Sequence, residues 1–196
     1  DAQLTMRILR EYGVTSFCAP PTAYRMIVLE DLAQYQLPDL RHCTSAGEPL
    51  NPEVMKKWEE GTGLTIYDGY GQTETVLLVG NYQCLPVRPG SMGKPMPGFQ
   101  VGIVDEEGTE LSSGEEGQIA VKVKPDRPVG LFREYWKDPD AMAGSFVGDW
   151  YLTGDKAYRD EDGYFWFVGR ADDLIISAGY RIGPFEVESA LIEHPA

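Results

Sequence analysis

The chain has 196 residues, of which 42% are hydrophobic and 11% aromatic, a composition typical of a packed core rather than a disordered chain. Its formal net charge of −14 argues against unaided binding to nucleic acid or to an anionic membrane surface, which requires basic patches. The three cysteines are widely spaced and predict free thiols, and with only two histidines a His-based triad or a His-rich metal site is disfavoured. No apolar run is long enough to cross a bilayer.

Helical and strand patterns alternate over residues 1–84. Strands are predicted at 14–19, at 41–45 and around Leu64 and Ile66. Helices are predicted at 2–12, at 22–33 and after Asn51. Pro52 at the first helical position strengthens the third helix start, and Met26 and Leu29 are expected to pack inward from the second helix. Such an alternation predicts a parallel α/β layer, here an incomplete one.

Residues 85–169 change character, with short alternating segments separated by turns in which acidic residues precede glycine. This region is predicted to be a β-rich, barrel-like subdomain, with a short helix from Pro139 and with Trp136 packed inside. Residues 170–196 are predicted to be a third unit, the start of a small α+β domain, in which strands 174–177 and 180–182 pair. The fold class is therefore mixed α/β.

One segment combines a strand, a sharp turn and polar side chains. Gly69 and Gly71 flank Tyr70 at the end of a short apolar strand, and glycine allows a backbone to turn tightly or approach a ligand closely. Thr73 and Glu74 follow, and a hydroxyl beside a carboxylate suits a phosphate with its Mg²⁺. From these residues alone, a polar loop after a strand is the default interpretation.

Several separated motifs occur together and in a fixed order. They are residues 45–49 (SAGEP), 70–74 (YGQTE), 90–95 (GSMGKP), 151–155 (YLTGD) and 169–182 (GRADDLIISAGYRI). As a set they resemble the adenylate-forming superfamily of acyl-CoA synthetases, luciferases and peptide-synthetase adenylation domains. The sequence at residues 24–26, 123–125 and 181–184 is most similar to that of medium-chain acyl-CoA synthetases.

The resemblance implies a two-step ligase that uses ATP, Mg²⁺ and CoA. A carboxylic acid, with a medium-chain fatty acid favoured, becomes an acyl-adenylate, and CoA then releases AMP. The resemblance implies that Thr73, Glu74 and Arg170 are catalytic, with Glu74 as the Mg²⁺ ligand and Asp155 as the ribose ligand. The implied nucleotide-binding residues are Gly47, Glu48, Pro49, Asp68, Gly69, Tyr70, Gly71, Gln72, Thr73, Asp155 and Arg170, with the ring of Tyr70 stacked on adenine.

Other implied roles lie at the two ends of the chain. The hinge of the C-terminal domain falls at Asp172, and the loop that lines the CoA tunnel comprises Ser177, Ala178, Gly179 and Tyr180. Phe17, Tyr24 and Val76 are the predicted acyl-pocket residues. The expected partners are small molecules, with no nucleic acid and no integral membrane segment.

Two lysine-bearing segments of the family have no counterpart in this sequence: the phosphate-cradling loop and the end of the C-terminal domain. We therefore expect an internal fragment of a longer enzyme that is inactive or very feeble alone. The alternatives are another adenylate-forming ligase, acting on aryl, acetyl, propionyl or amino acids, and a non-catalytic nucleotide-binding module. The expected compartment is the cytoplasm or the mitochondrial matrix.

Overall fold

The computed structural model describes residues 1–170, 175–177, 180–182, 184, 187, 190 and 191. Helices alternate with strands at first, and strands dominate after residue 63. The helices are α1 (Ala2–Glu11), α2 (Pro21–Ile27), a 3-10 turn (Leu32–Gln34), α3 (Pro52–Thr62) and α4 (Pro139–Gly144). The strands are β1 (Ser16–Cys18), β2 (His42–Ala46), β3 (Ile66–Gln72), β4 (Val76–Gly80), β5 (Lys94–Pro95), β6 (Val101–Val104), β7 (Gly117–Lys122), β8 (Phe146–Val147), β9 (Trp150–Arg159), β10 (Phe165–Arg170), β11 (Ile175–Ser177) and β12 (Tyr180–Ile182).

The first sheet has the order β1-β2-β3-β4-β5. Strands β1, β2 and β3 run parallel, which confirms the predicted parallel layer, while β4 is antiparallel to β3 and β5 is antiparallel to β4. The reversal follows from the short turn at residues 73–75, which is too short for a crossover helix and allows only an antiparallel return. Since β5 lies beyond residue 84, the first sheet draws on both of the predicted units.

The second sheet is antiparallel, with the order β10-β9-β7-β6 and with β8 paired to β9. The predicted turn at residues 160–163 joins β9 to β10 as a hairpin, and β11 pairs with β12 as expected. A bridge between Gly93 and Phe165 connects this sheet to the segment that leads into β5. The carboxyl end of β3 and the middle of β9 are thereby brought together.

Helices α1, α2 and α3 pack on one face of the first sheet, around Trp58, which is fully buried. Its ring lies edge-on to Tyr24 at 5.1 Å between centroids and stacks with Phe17 at 6.3 Å. The start of α3 at Pro52 is as predicted, and Gly63 ends the helix in the left-handed conformation, which glycine adopts without steric cost. The side chain of Asn51 makes no cap hydrogen bond and instead accepts one from Arg25.

Three predictions of packing are wrong. The second helix ends at Ile27, and its buried face carries Pro21, Tyr24 and Ile27 at helical spacing. Met26 therefore lies on another face and Leu29 beyond the helix, and both are exposed. Trp136, predicted to pack inside, lies next to the start of α4 with 82% of its surface exposed.

Candidate functional site

The turn between β3 and β4 is fixed by the buried side chain of Thr75. Its hydroxyl accepts a hydrogen bond from the amide of Gln72 at 3.0 Å and donates to the carbonyl of Val76 at 3.0 Å. Val76 has φ of +56°, which is an outlier for a β-branched residue. The turn thus holds a strained backbone, and it presents Thr73, which is exposed, and Glu74, which is partly buried.

Asp155 lies where the two sheets meet and is 8% exposed. Its Oδ2 accepts a hydrogen bond from the hydroxyl of Tyr70 at 2.6 Å and another from Nε2 of Gln72 at 2.8 Å. Burial and the charge of Asp155 raise the pKa of Tyr70, so that its hydroxyl remains a donor. The prediction gave Tyr70 a stacking role only, whereas the structure also uses its hydroxyl to hold this carboxylate.

A cavity of about 300 Å³ opens beside Asp155. All of the predicted nucleotide-binding residues except Thr73 line it, and so do Met92 and Phe167, which sequence reasoning missed. Met92 stands within the motif at 90–95, which could have indicated a place in the site. Phe167 stands in an alternating strand pattern, which indicates a strand but not a binding residue. Cavities of this size suit small ligands such as a nucleoside.

Arg170 ends β10 directly opposite Asp155 in the β9–β10 register. It lines the cavity beside Asp155 and also a second, neighbouring cavity of about 410 Å³. Gln72 belongs to both cavities, and Glu74 lines the second. The structure therefore places the predicted ribose ligand, the predicted phosphate-contacting arginine and the predicted metal ligand at two neighbouring cavities that share Gln72 and Arg170.

The loop at residues 47–49 forms one wall of the first cavity. Gly47 has φ of +100°, which L side chains rarely adopt. The side chain of Glu48 is fixed by α2, because its carboxylate accepts hydrogen bonds from the hydroxyl of Thr22 at 2.7 Å and from Arg25 at 2.9 Å. The wall is therefore tied to α2, a link that the sequence did not reveal.

Asp68 lines the same cavity with a carboxyl group that is only 7% exposed. Its Oδ1 has no hydrogen-bond partner among the described residues. Burial raises the pKa of Asp68 to about 8, against the opposing effect of hydrogen bonds from the backbone at Gly69 and Leu50. The acid is therefore held mainly in its neutral form at neutral pH, because a buried carboxylate loses its hydration.

We expect Asp68→Asn to remove a pH dependence of stability. Because the pKa of Asp68 is higher in the folded state than the 3.8 of an exposed aspartate, the folded protein retains this proton as pH rises from about 4 to about 8. The contribution of Asp68 to the free energy of unfolding therefore falls over that window, by at most about 1.4 kcal/mol per pH unit. Urea denaturation of wild type and variant at several pH values measures it.

The matched control for this titration is Asp126→Asn, which removes an exposed carboxylate. The difference in unfolding free energy between wild type and Asp68→Asn should decline steadily from pH 4 to pH 8 and then level off. A difference that does not change with pH would show that Asp68 titrates normally.

Glu74 provides a hard anionic oxygen at the edge of the second cavity. Within the described part of the chain, no group of three or more His, Cys, Asp or Glu side chains is placed to hold a metal ion. A single carboxylate nevertheless fits Mg²⁺, which commonly retains several waters and takes its other ligands from nucleotide phosphates. The donor chemistry therefore agrees with a metal that arrives together with a nucleotide.

A third cavity, of about 510 Å³, lies on the face of the first sheet opposite the helices. It shares Asp68 and Gly69 with the first cavity. Its walls include Cys18, His42, Thr44, Ala46, Tyr67, Leu77 and Met96. It is therefore a partly apolar space that adjoins the nucleotide-sized one across a glycine.

The predicted acyl-pocket residues are not brought together at that cavity. Tyr24 is fully buried among the helices, and its hydroxyl donates to the carbonyl of Thr44 at 3.3 Å. Phe17 packs on the same helical side, while Val76 lies exposed at the β3–β4 turn. Successive strand residues face opposite sides of a sheet, so Cys18 rather than Phe17 reaches the cavity.

The residues predicted for the hinge and the CoA tunnel are only partly among those that the structure describes. Asp172, Ala178 and Gly179 lie outside the described residues. The backbones of Ser177 and Tyr180 pair with each other where β11 meets β12. None of the described helices has the length and apolarity needed to cross a membrane.

Comparison with known proteins identifies relatives of the whole chain. A family model described as "AMP-binding enzyme" matches residues 1–136. Acyl-coenzyme A synthetase ACSM3, mitochondrial, of Rattus norvegicus is 58% identical over 196 residues, which are 100% of this chain and 34% of that protein. Acyl-coenzyme A synthetase ACSM4, mitochondrial, of Homo sapiens is 54% identical with the same coverage. The chain thus spans about a third of the length of these curated relatives.

Solved structures agree in fold over the whole chain. The anthranilate CoA ligase AuaEII in complex with anthranoyl-AMP is 36% identical, with a TM-score of 0.89 over 100% of this chain and 37% of that one. The O-succinylbenzoate coenzyme A synthetase MenE from Bacillus subtilis, in complex with ATP and magnesium ion, is 29% identical, with a TM-score of 0.84 over 100% of this chain and 40% of that one.

Proposed function

Because the chain belongs to the AMP-binding enzyme family, we propose that it forms the adenosine- and magnesium-binding part of an AMP-forming acyl-CoA synthetase. The observation that carries the proposal is the carboxylate of Asp155, fixed by Tyr70 and Gln72 at the mouth of a nucleoside-sized cavity. The whole enzyme joins a carboxylic acid to ATP as an acyl-adenylate with release of pyrophosphate, and CoA then displaces AMP.

In this proposal, Asp155 binds the ribose. A carboxylate can accept hydrogen bonds from the 2′ and 3′ hydroxyls together, because its two oxygens offer several acceptor sites. Tyr70 and Gln72 prevent the side chain from rotating, so little conformational entropy is lost when the nucleotide binds. Arg170, opposite Asp155, supplies directed donors for ribose and phosphate oxygens.

The reacting phosphate lies toward the second cavity in this proposal. Thr73 would donate its hydroxyl to an α-phosphate oxygen, and the exposed position of Thr73 on the turn supports this role. Glu74 would hold Mg²⁺, which when bound neutralises the charge on the phosphate oxygens. The rigid turn places both side chains in advance, which is how a site stabilises charge that develops during reaction.

The acid would occupy the third cavity. Support comes from its walls, which include Leu77, Met96 and Ala46, and from the glycine that it shares with the nucleotide cavity. Gly69 has no side chain between the third cavity and the first, so an acyl group in the third cavity would lie close to a nucleotide in the first. A medium-length alkyl chain is the proposed substrate, and CoA is the proposed acceptor.

The relatives named above are called mitochondrial, which supports the mitochondrial matrix as the proposed compartment of the whole enzyme. Its partners would be the carboxylic acid, ATP and CoA. The acidic composition of the chain agrees with small-molecule partners rather than nucleic acid.

The test is calorimetric binding of AMP and of non-hydrolysable acyl-adenylate analogues to this chain. We expect AMP to bind, and affinity to rise from the acetyl to the octanoyl analogue by about tenfold or more, since each buried methylene contributes up to about 0.8 kcal/mol. Leu77→Ala should reduce this gain without changing AMP affinity, because Leu77 lines only the acyl cavity.

Four results would oppose the proposal. Equal affinity for the acetyl and octanoyl analogues would favour an acetyl or propionyl enzyme, and a preference for a benzoyl analogue would favour an aryl ligase. AMP binding without any gain from an acyl group would favour a nucleotide-binding module. Failure of AMP to bind to a chain that gives a folded circular dichroism spectrum would exclude the adenosine site itself.

A further inference from the structure

The segment after residue 131 is attached to Glu74 at two points. The amide of Phe132 donates to the backbone carbonyl of Glu74 at 2.7 Å. The hydroxyl of Tyr135 donates to Oε1 of Glu74 at 3.1 Å. A loop that is distant in sequence therefore forms hydrogen bonds with both the backbone and the carboxylate of the predicted metal ligand.

Tyr135 is itself held by a buried aromatic group. Its ring packs against Phe132 at 4.7 Å between centroids, and Phe132 meets Tyr151 edge-on at 5.5 Å. Tyr151 is 1% exposed and packs against Phe146 as well. Burial, and then a side-chain hydrogen bond with Tyr135, raises the pKa of Tyr151, so the hydroxyl of Tyr151 stays protonated at neutral pH.

These contacts form a connected path from the core to the site. Tyr151 is fixed by packing on β9, Tyr135 is fixed by Tyr151 and Phe132, and Glu74 receives the hydroxyl of Tyr135. A glutamate side chain has three rotatable bonds, and a hydrogen bond to one carboxylate oxygen removes much of that freedom. Groups that orient a metal ligand in this way commonly affect metal affinity by about 10–100-fold.

We propose that Tyr135, anchored by Tyr151, is a positioning residue that orients the carboxylate of Glu74 toward Mg²⁺. The inference rests on the proposed function, because it requires Glu74 to hold the metal of a bound nucleotide. Tyr135 also lines the second cavity, and in this proposal it acts on the metal through its hydrogen bond to Glu74. No sequence pattern indicates this role, since Tyr135 stands 61 residues from Glu74 and outside the motifs.

The experiment compares ATP binding by calorimetry in EDTA and in saturating Mg²⁺, using wild type, Tyr135→Phe and Tyr164→Phe. Tyr135→Phe removes one hydroxyl and keeps the ring in place. We expect the ratio of the ATP dissociation constants without and with Mg²⁺ to fall by about tenfold. AMP affinity in EDTA should remain that of wild type, because the contacts of Asp155 are unchanged.

Tyr164→Phe is the matched control, since its hydroxyl donates to the carbonyl of Pro86 away from the cavities. This variant should keep the wild-type Mg²⁺ dependence. The inference would be overturned if Tyr135→Phe had the wild-type ratio of ATP dissociation constants without and with Mg²⁺. It would also be overturned if the variant lost AMP affinity and Mg²⁺-ATP affinity equally, because such a loss marks a purely structural role. If wild type binds AMP but shows no Mg²⁺ dependence, the metal role of Glu74 fails together with that of Tyr135. If wild type binds no AMP, the proposed function fails at the adenosine site.

Discussion

Replacing Asp155 by alanine should weaken AMP binding by about 100-fold or more. The variant loses the carboxylate proposed to accept both ribose hydroxyls, and hydrogen bonds to a charged group contribute about 1.5–3 kcal/mol each. It also leaves the hydroxyl of Tyr70 and the amide of Gln72 without the acceptor that they share in the folded protein. Isothermal calorimetry with AMP measures the loss directly.

Asp155→Asn separates charge from shape, because the amide keeps the size of the side chain and one acceptor oxygen. Its affinity for AMP should lie between those of wild type and Asp155→Ala. The exposed Asp126→Asn serves as the control and should bind AMP as wild type does. Wild-type affinity in Asp155→Ala would contradict the ribose assignment.

Gly71→Ala should lower the free energy of unfolding by about 3 kcal/mol or more. A Cβ on residue 71 would lie 1.9 Å from the carbonyl oxygen of Val76, which is backbone and cannot move aside as a side chain would. Overpacking in a well-packed region commonly costs about 1–3 kcal/mol, and this contact is closer than usual. The β3–β4 pairing must therefore open, and this also displaces the turn that carries Thr73 and Glu74.

The control for this variant is Gly144→Ala at the end of α4, where an added Cβ meets nothing within 4 Å. Chemical denaturation should show no loss for Gly144→Ala and a large loss for Gly71→Ala. Wild-type stability in Gly71→Ala would contradict the close approach of Gly71 to the carbonyl oxygen of Val76.

The parts of the site that the sequence could predict are local in the chain. The residue types at 70–74 suit a turn with phosphate chemistry. The ribose role of Asp155, within residues 151–155, was implied only by the family resemblance that these motifs carry. The start of α3 at Pro52 was predicted for the same reason, since a proline at the first helical position acts on its own helix.

The parts that could not be predicted depend on tertiary contacts. Tyr70 and Gln72 meet Asp155 across 85 and 83 residues of sequence, and no pattern along the chain encodes that pairing. The side of the sheet on which Phe17 lies depends on which face of β1 the helices cover, and a shift of one residue reverses it. Burial of Trp136 was expected from its size alone, and the fold places it at the surface.

The most direct test of the account is calorimetric binding of AMP and of 2′,3′-dideoxy-AMP to wild type and to Asp155→Ala. The account predicts that removal of the two ribose hydroxyls weakens binding to wild type by about 100-fold, while Asp155→Ala does not distinguish the two ligands. Equal affinity of wild type for AMP and its dideoxy analogue would contradict the claim that this chain carries an adenosine site built on Asp155.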